Sequence, residues 1–551
     1  MKNKFIYLSV LAAVFASCEP EFENSVDANY TSGDADFTSY VAIGNSLTAG
    51  YMDGTVYASG QMNSYPNMLS QQFALVGGGN FTQPSFADDV ENVGGLMLGG
   101  MQIGSGRLVV NTAPLLDGGG NVMYDACGNV RTQGLQPRNL PVSVEVSNIT
   151  AGAVNNMGVP GAKSFHLLSD TYGNVGGVAL GTANPYFVRH ASSSSATVLG
   201  DAMSLNPTFF TCWIGANDVL SYATSGGSGV DQTGNANVTS YGPNDITDPT
   251  AFAGVYSTII NTLTSGGAKG VVATIPSVTS IPYFTTVPYA PLSPAALGGQ
   301  ANIDALNANL YEPLDAIFTN FSGEPNRVNP LSGTSANPIL IHDNDAIDMT
   351  AIITAALTPT YGPTIAAEFG ATFGKARQAT AADLVVLPAS SVIGTANANA
   401  SPAMVAAGAN LNGVSYPMAN QWVLTSAEKN KVANATTAYN NTIVSIANAN
   451  NIAVLDANAL MNQLVYGLRI ETGQLYTAYY FGQNPLNQNC GVSPIVTEGA
   501  VLFSLDGVHP NARGYAVIAN AFINTINGYY NANLPLKYVN DYPGTQIVGS
   551  N

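Results

Sequence analysis

The sequence predicts an α/β fold, a mostly parallel β-sheet flanked by helices, on two observations. Short apolar runs stand far apart in the chain, at residues 40–43, 209–214, 271–275 and 452–455. Helical patterns lead directly into the last two, and strands that alternate with helices form crossover units and pair in parallel.

The elements follow in order. Met1-Lys2-Asn3-Lys4 is basic, residues 5–15 are apolar, and Ala16-Ser17-Cys18 follows. This pattern reads as a signal peptide over residues 1–17, too short for the roughly 18 apolar residues that a membrane span needs. Small residues before Cys18 resemble a bacterial lipobox, in which the thiol of Cys18 receives diacylglycerol and becomes the first residue. The alternative is an ordinary signal peptide cut near Ala16. Residues 18–38 then read as a lipidated cysteine and flexible tether. The expected location is outside the cytoplasm, anchored by lipid in the outer membrane of a Gram-negative bacterium, on a side the sequence does not specify.

The first strand, at residues 40–43, leads into Gly44-Asn45-Ser46-Leu47. A Gly-, Asn- and Gln-rich stretch at about 78–142 predicts loops with short strands. The second strand, at 209–214, runs into Gly215-Ala216-Asn217-Asp218, and a Gly/Ser/Asn/Asp loop occupies about 222–248. Phe252, Val255, Ile259 and Leu263 recur at helical spacing and stop at Gly266-Gly267, before the third strand. A long Ala- and Pro-rich segment fills about 280–420. Thr425-Ser426-Ala427-Glu428 is a capping box, and Val432, Thr436, Tyr439, Ile443 and Ile446 continue the helix toward the fourth strand. The alternation resumes after each of the three irregular segments, which therefore read as insertions in one domain of residues 39–530. Residues 531–551 read as a C-terminal tail.

Composition limits the function. Hydrophobic residues are 46% and charged residues 9% of 551, which leaves a surface of neutral polar groups suited to an exported protein. Sixteen basic residues face 34 acidic ones, a net charge of −18, which repels a phosphate backbone. Nucleic acid is excluded as a partner, as is electrostatic attachment to anionic lipid; the oligomeric state is undetermined. Beyond Cys18 the cysteines are Cys127, Cys212 and Cys490, so one disulfide at most can form. Cys212 lies in an apolar strand as a small hydrophobe, and a Cys127–Cys490 bridge is open.

Two short motifs carry chemistry. Ser46 stands in a tight strand-to-helix turn, which lifts a side chain to the carboxyl edge of the sheet where open α/β folds bind ligands. Asn45 or Ser46 can equally be a simple helix cap. Near the other end, Ser504-Leu505-Asp506-Gly507-Val508-His509-Pro510 precedes a helix. A neutral histidine can accept a serine proton, and a carboxylate three residues away can fix its tautomer. The alternative is a capping Asp506 with His509 a bystander. The Asn217 amide follows a strand, and Gly161, at the end of Asn156-Met157-Gly158-Val159-Pro160-Gly161, offers a bare backbone N–H; either can be an oxyanion donor or an ordinary cap or turn.

Taken in order, serine, glycine, asparagine and Asp-x-x-His resemble the sequence blocks of the SGNH (GDSL-type) hydrolases. The resemblance implies a flavodoxin-like three-layer α/β/α sandwich around a parallel sheet of about five strands, with large insertions. It implies a serine esterase or lipase with Ser46 as nucleophile, His509 as base and Asp506 as its orienting acid. The Ser46 and Gly161 backbones and the Asn217 side chain would form the oxyanion hole, and no metal or cofactor is called for. Asn45 stands where the family carries Asp, a change that bears on local hydrogen bonds rather than on the triad. The ester, lipid or acylated carbohydrate, stays open. The alternative function is a glycan- or lipid-binding surface lipoprotein that keeps the fold without turnover.

Three weaker signals complete the sequence. His342-Asp343-Asn344-Asp345 is oxygen-rich but lacks the glycine and distal glutamate of a calcium loop. His166 lies just past Gly161, and Tyr283, Phe284, Tyr479 and Tyr480 are candidates for lining a groove.

Overall fold

Strand β1, Tyr40–Gly44, is fully buried and sits inside a five-stranded parallel sheet. In the computed structural model the described residues are 29–123, 130, 132–150, 152–470, 472–481, 498–545 and 547–548. The remaining sheet strands are β2 (Asn156–Gly158), β3 (Phe209–Trp213), β4 (Lys269–Ala273) and β5 (Ala453–Leu455). Their spatial order is β5-β4-β3-β1-β2, every pair parallel. All four apolar runs are therefore strands, with ends shifted by a residue or two. The fifth strand, β2, has no apolar run of its own. It is held by pairing to β1, Ala42 opposite Asn156, and by the Asn155 amide donating to the Tyr40 carbonyl at 2.8 Å.

Alternate residues of a strand point to opposite faces. Phe209 and Trp213 of β3 meet the rings of Phe73, Tyr530, Tyr65 and Phe522. These rings belong to helix α1 (Tyr65–Ala74), to Tyr530 and Phe522 of helix α5 (Ala512–Tyr530), and so mark one face. Cys212, one residue out of phase, is a buried free thiol beside Tyr256 of helix α2 (Pro249–Thr264). Against α2 packs helix α3 (Ser426–Ala449), Phe252 stacking on Tyr439 at 4.2 Å. The predicted capping box is present: Thr425 accepts from the Glu428 N–H, and Glu428 accepts from the Thr425 N–H at 2.8 Å. Helix α4, Ala457–Tyr466, follows β5 directly and is capped by Asp456.

Two expectations are corrected at the ends. The stretch read as a tether to residue 38 is already folded by Thr31, which pairs with Asn533, and Phe37 stacks on Phe73 at 3.9 Å. The segment read as a C-terminal tail also packs: Leu534 and Val539 are buried, and Ile547–Val548 pairs with an insertion strand, Leu108–Pro114. In both places an isolated apolar residue among polar ones finds a core that the local pattern does not reveal. The segment at about 78–142 contains the expected short strands, including the antiparallel pair Leu108–Pro114 and Thr132–Pro137. Among the described residues, no helix is long and apolar enough to cross a membrane. Cys18, Cys127 and Cys490 lie outside the described residues.

Candidate functional site

In a 2-1-3-4-5 sheet the chain leaves β1 for one side and later returns to the other, opening a crevice at the carboxyl ends of β1 and β3. Ser46 stands there as the first residue of the short helix Ser46–Ala49, its N–H without a partner one turn back. Asn45 caps that helix, its side chain accepting from the Leu47 N–H at 3.0 Å. Asn217 stands at the end of β3 as the first residue of the helix Asn217–Thr224.

His509 comes from the loop before α5. Its Nε2 is 2.8 Å from the Ser46 Oγ, and its Nδ1 is 2.9 Å from the Asp506 Oδ2. Three residues suffice because the loop folds tightly: the Ser504 N–H donates to the His509 carbonyl at 2.8 Å, and the Gly507 N–H to the Ser504 carbonyl at 3.0 Å. Gly507 has φ +72°, which a residue with a side chain rarely adopts. The ring of Tyr51 packs on the imidazole at 4.5 Å.

Asp506 is held on both oxygens. Its Oδ1 accepts the N–H groups of Val508 (2.9 Å) and His509 (2.8 Å), and its Oδ2 also accepts that of Gly54 (3.1 Å). Burial pushes its carboxyl up, but the neighbouring His509 and the backbone donors outweigh this and leave it below its ordinary value. It therefore stays ionised, with His509 Nδ1 as the donor and Nε2 free to face the serine.

A second buried acid supports this loop. Asp53 accepts the Leu505 N–H at 2.9 Å and the Tyr57 hydroxyl at 2.7 Å, while its own N–H donates to the Ser504 Oγ at 3.0 Å. Burial drives its carboxyl up to about 6, against the pull of the Leu505 and Tyr57 donors; Asp506 adds to the rise and Arg107 opposes it. No sequence pattern marked Asp53. Its only signal is an acid four positions past the end of the Ser46 helix.

The oxyanion candidates fall around Ser46 unevenly. The Asn217 Nδ2 donates to the Ala162 carbonyl at 2.9 Å, leaving its second hydrogen available, and the residue lines the same cavity as Ser46 and His509. Gly161 is one residue from that carbonyl, in the turn that leaves β2 beside β1, but it is exposed and is not a wall of the cavity. Asp218 pins the two segments together, accepting from the Ser164 N–H and hydroxyl at 2.8 Å each.

The cavity has a volume of about 120 Å³. Besides Asn45, Ser46, Asn217 and His509 its walls are apolar, supplied by the loop after β4 (Pro276, Val278, Ile281), by α4 and by α5. Sequence reading missed these walls. The signal was present in α4, where Ala457, Leu460, Met461 and Leu464 share one helical face, but that spacing is also that of ordinary core.

The weaker candidates do not join the site. His166 is packed on Tyr172 and accepts from the Lys163 N–H; burial, aided by Lys163, lowers it to about 4. Asp343 is engaged by Arg377 at 2.6 Å, and among the described residues no group of three His, Cys, Asp or Glu side chains could hold a metal. The aromatic candidates are engaged elsewhere: Phe284 is core, Tyr480 donates to the Leu505 carbonyl, and Tyr283 braces the Asp506–His509 loop through its N–H to the Gly507 carbonyl at 2.9 Å. None of the four lines the cavity.

No family model matches the chain, and no curated protein or solved structure matches it.

Proposed function

We propose that this protein is a serine ester hydrolase of the SGNH (GDSL-type) kind, built on that family's three-layer α/β/α sandwich. The observation that carries the reading is the continuous hydrogen-bonded chain from Ser46 through His509 to Asp506, at 2.8 and 2.9 Å, formed by residues 463 positions apart. A serine, a histidine and an ionised, fully bonded carboxylate in that order are the parts that nucleophilic acyl transfer needs.

The mechanism follows from the geometry. His509 Nε2 takes the Ser46 proton as Oγ attacks the ester carbonyl, and Asp506 stabilises the imidazolium formed. The oxyanion is met by the Ser46 N–H and the Asn217 amide, with the Gly161 N–H at the rim. His509 returns the proton to the leaving alcohol, and water then releases the acid from the acyl-enzyme. Asn45 in place of the family's Asp fits this reading, since Asn and Asp cap a helix about equally well. On the pattern of residues 1–18 the reading includes export and a lipid anchor at Cys18 in an outer membrane.

The test is labelling of the purified chain without residues 1–18 by a fluorophosphonate, with the adduct located by peptide mass spectrometry. Adduct on Ser46, lost in His509→Ala, together with ester turnover abolished in Ser46→Ala, is expected. A folded protein that takes no label, or a Ser46→Ala variant that still turns over esters, refutes the proposal.

A further inference from the structure

Resting on the hydrolase reading, we infer that the ester carries a linear aliphatic chain of about six carbons, seated in the cavity beside Ser46. The cavity is bounded by Ser46 and His509 together, so a chain attached to a carbonyl at Ser46 can extend into it. Beyond them it is walled by Met461 and Leu464 of α4, by Leu468 of the short strand Leu468–Arg469, by Leu502, and by Val517 and Ile518 of α5. Among the described residues no Lys, Arg, Asp or Glu lines it, and the four polar side chains there are the nucleophile, the base, Asn45 as a helix cap and Asn217 as an oxyanion donor.

That inventory decides between the substrate classes. A sugar ring brought here would leave its hydroxyls without partners, at a cost of about 1–3 kcal/mol each. An aliphatic chain loses nothing and gains the transfer free energy of each methylene. Size sets the length: an apolar cavity of about 150 Å³ takes up benzene, and this one, at about 120 Å³, fits a chain of similar carbon number.

The experiment measures kcat/KM for 4-nitrophenyl esters from acetate to decanoate and, in parallel, for a series of alkyl acetates. A chain entering the cavity raises kcat/KM about fourfold per methylene, roughly 200-fold from acetate to hexanoate, and the gain stops near six carbons. Gain in the first series places the chain on the acyl side, and gain in the second on the alcohol side. Leu464→Trp, or Met461→Trp if the first does not fold, fills the cavity and moves the optimum to shorter chains.

Binding is read separately in Ser46→Ala by the emission of Trp213, which lines the cavity and is one of two tryptophans. Hexanoate shifts that emission and acetate does not. Turnover that is flat with chain length in both series overturns the aliphatic assignment and leaves the hydrolase standing. A shift in Trp213 emission by hexanoate in a protein that hydrolyses no ester overturns the hydrolase and leaves the cavity assignment.

Discussion

Replacing Asp506 by Asn removes one charge without changing shape, and on the proposed hydrolase mechanism its hydrogen bonds predict that turnover fails. Asp506 accepts at both oxygens, Oδ1 from two backbone N–H groups and Oδ2 from Gly54 N–H and His509 Nδ1. An Asn has one acceptor oxygen. With that oxygen in the Oδ1 position, its NH₂ faces the Gly54 N–H donor and forces His509 into the tautomer protonated on Nε2, which cannot accept the serine proton. With the amide flipped, the NH₂ faces two N–H donors instead. In the first arrangement kcat falls about 10⁴-fold, the size of a tautomer error in a triad. The mispaired donors cost a further 1–3 kcal/mol or so of stability. The assay is steady-state hydrolysis of 4-nitrophenyl hexanoate, with urea unfolding followed by circular dichroism. A loss of less than tenfold in a folded variant means that Asp506 does not set the tautomer, and refutes the reasoning.

Three further outcomes follow from the same geometry. On the proposed mechanism Asn217→Ala removes one oxyanion donor and lowers kcat by about 10²–10³ with little change in KM; a change confined to KM assigns Asn217 to substrate binding instead. Asp53 and Asp506 give opposite pH trends. The Asp506 carboxyl is depressed, so its contribution is present above its ordinary value near 3.8 and lost as pH falls through its lower folded value. Asp53 is raised from 3.8 to about 6, so the folded state holds its proton more tightly and stability falls as pH climbs across that window. From pH 4 to 7 the wild type should lose about 2 kcal/mol relative to Asp53→Asn, which has no such proton; parallel urea midpoints across that range contradict this. A methyl on Gly158 would lie 2.3 Å from the Ala49 nitrogen and 2.6 Å from the Thr48 carbonyl carbon. Gly158→Ala should therefore push β2 off the Ser46 helix and cost about 3 kcal/mol, which an unchanged denaturation midpoint would disprove.

The elements that were legible are those whose signal is local. The buried runs that became β1, β3, β4 and β5 are apolar over most of their length because both faces of a parallel sheet are covered. Thr425 and Glu428 announce their helix because both capping bonds close within four residues. β2 was not legible: three residues, Asn156, Met157 and Gly158, make no pattern, and only pairing with β1 makes them a strand. Phe37 and Leu534 were misplaced for the same reason, as single apolar residues whose partners lie far along the chain.

The site divides along that line. The sequence by itself determined that a serine ends one strand and that Asp506 and His509 share one short loop, since three residues of backbone keep an acid and a base in reach whatever the rest of the chain does. Only the tertiary structure decided that this loop meets Ser46, that Asn217 enters the same crevice while Gly161 stays at its rim, and that α4 and α5 wall an apolar cavity beside them. Those are contacts between segments up to hundreds of residues apart, fixed by strand order and helix packing rather than by any local spacing.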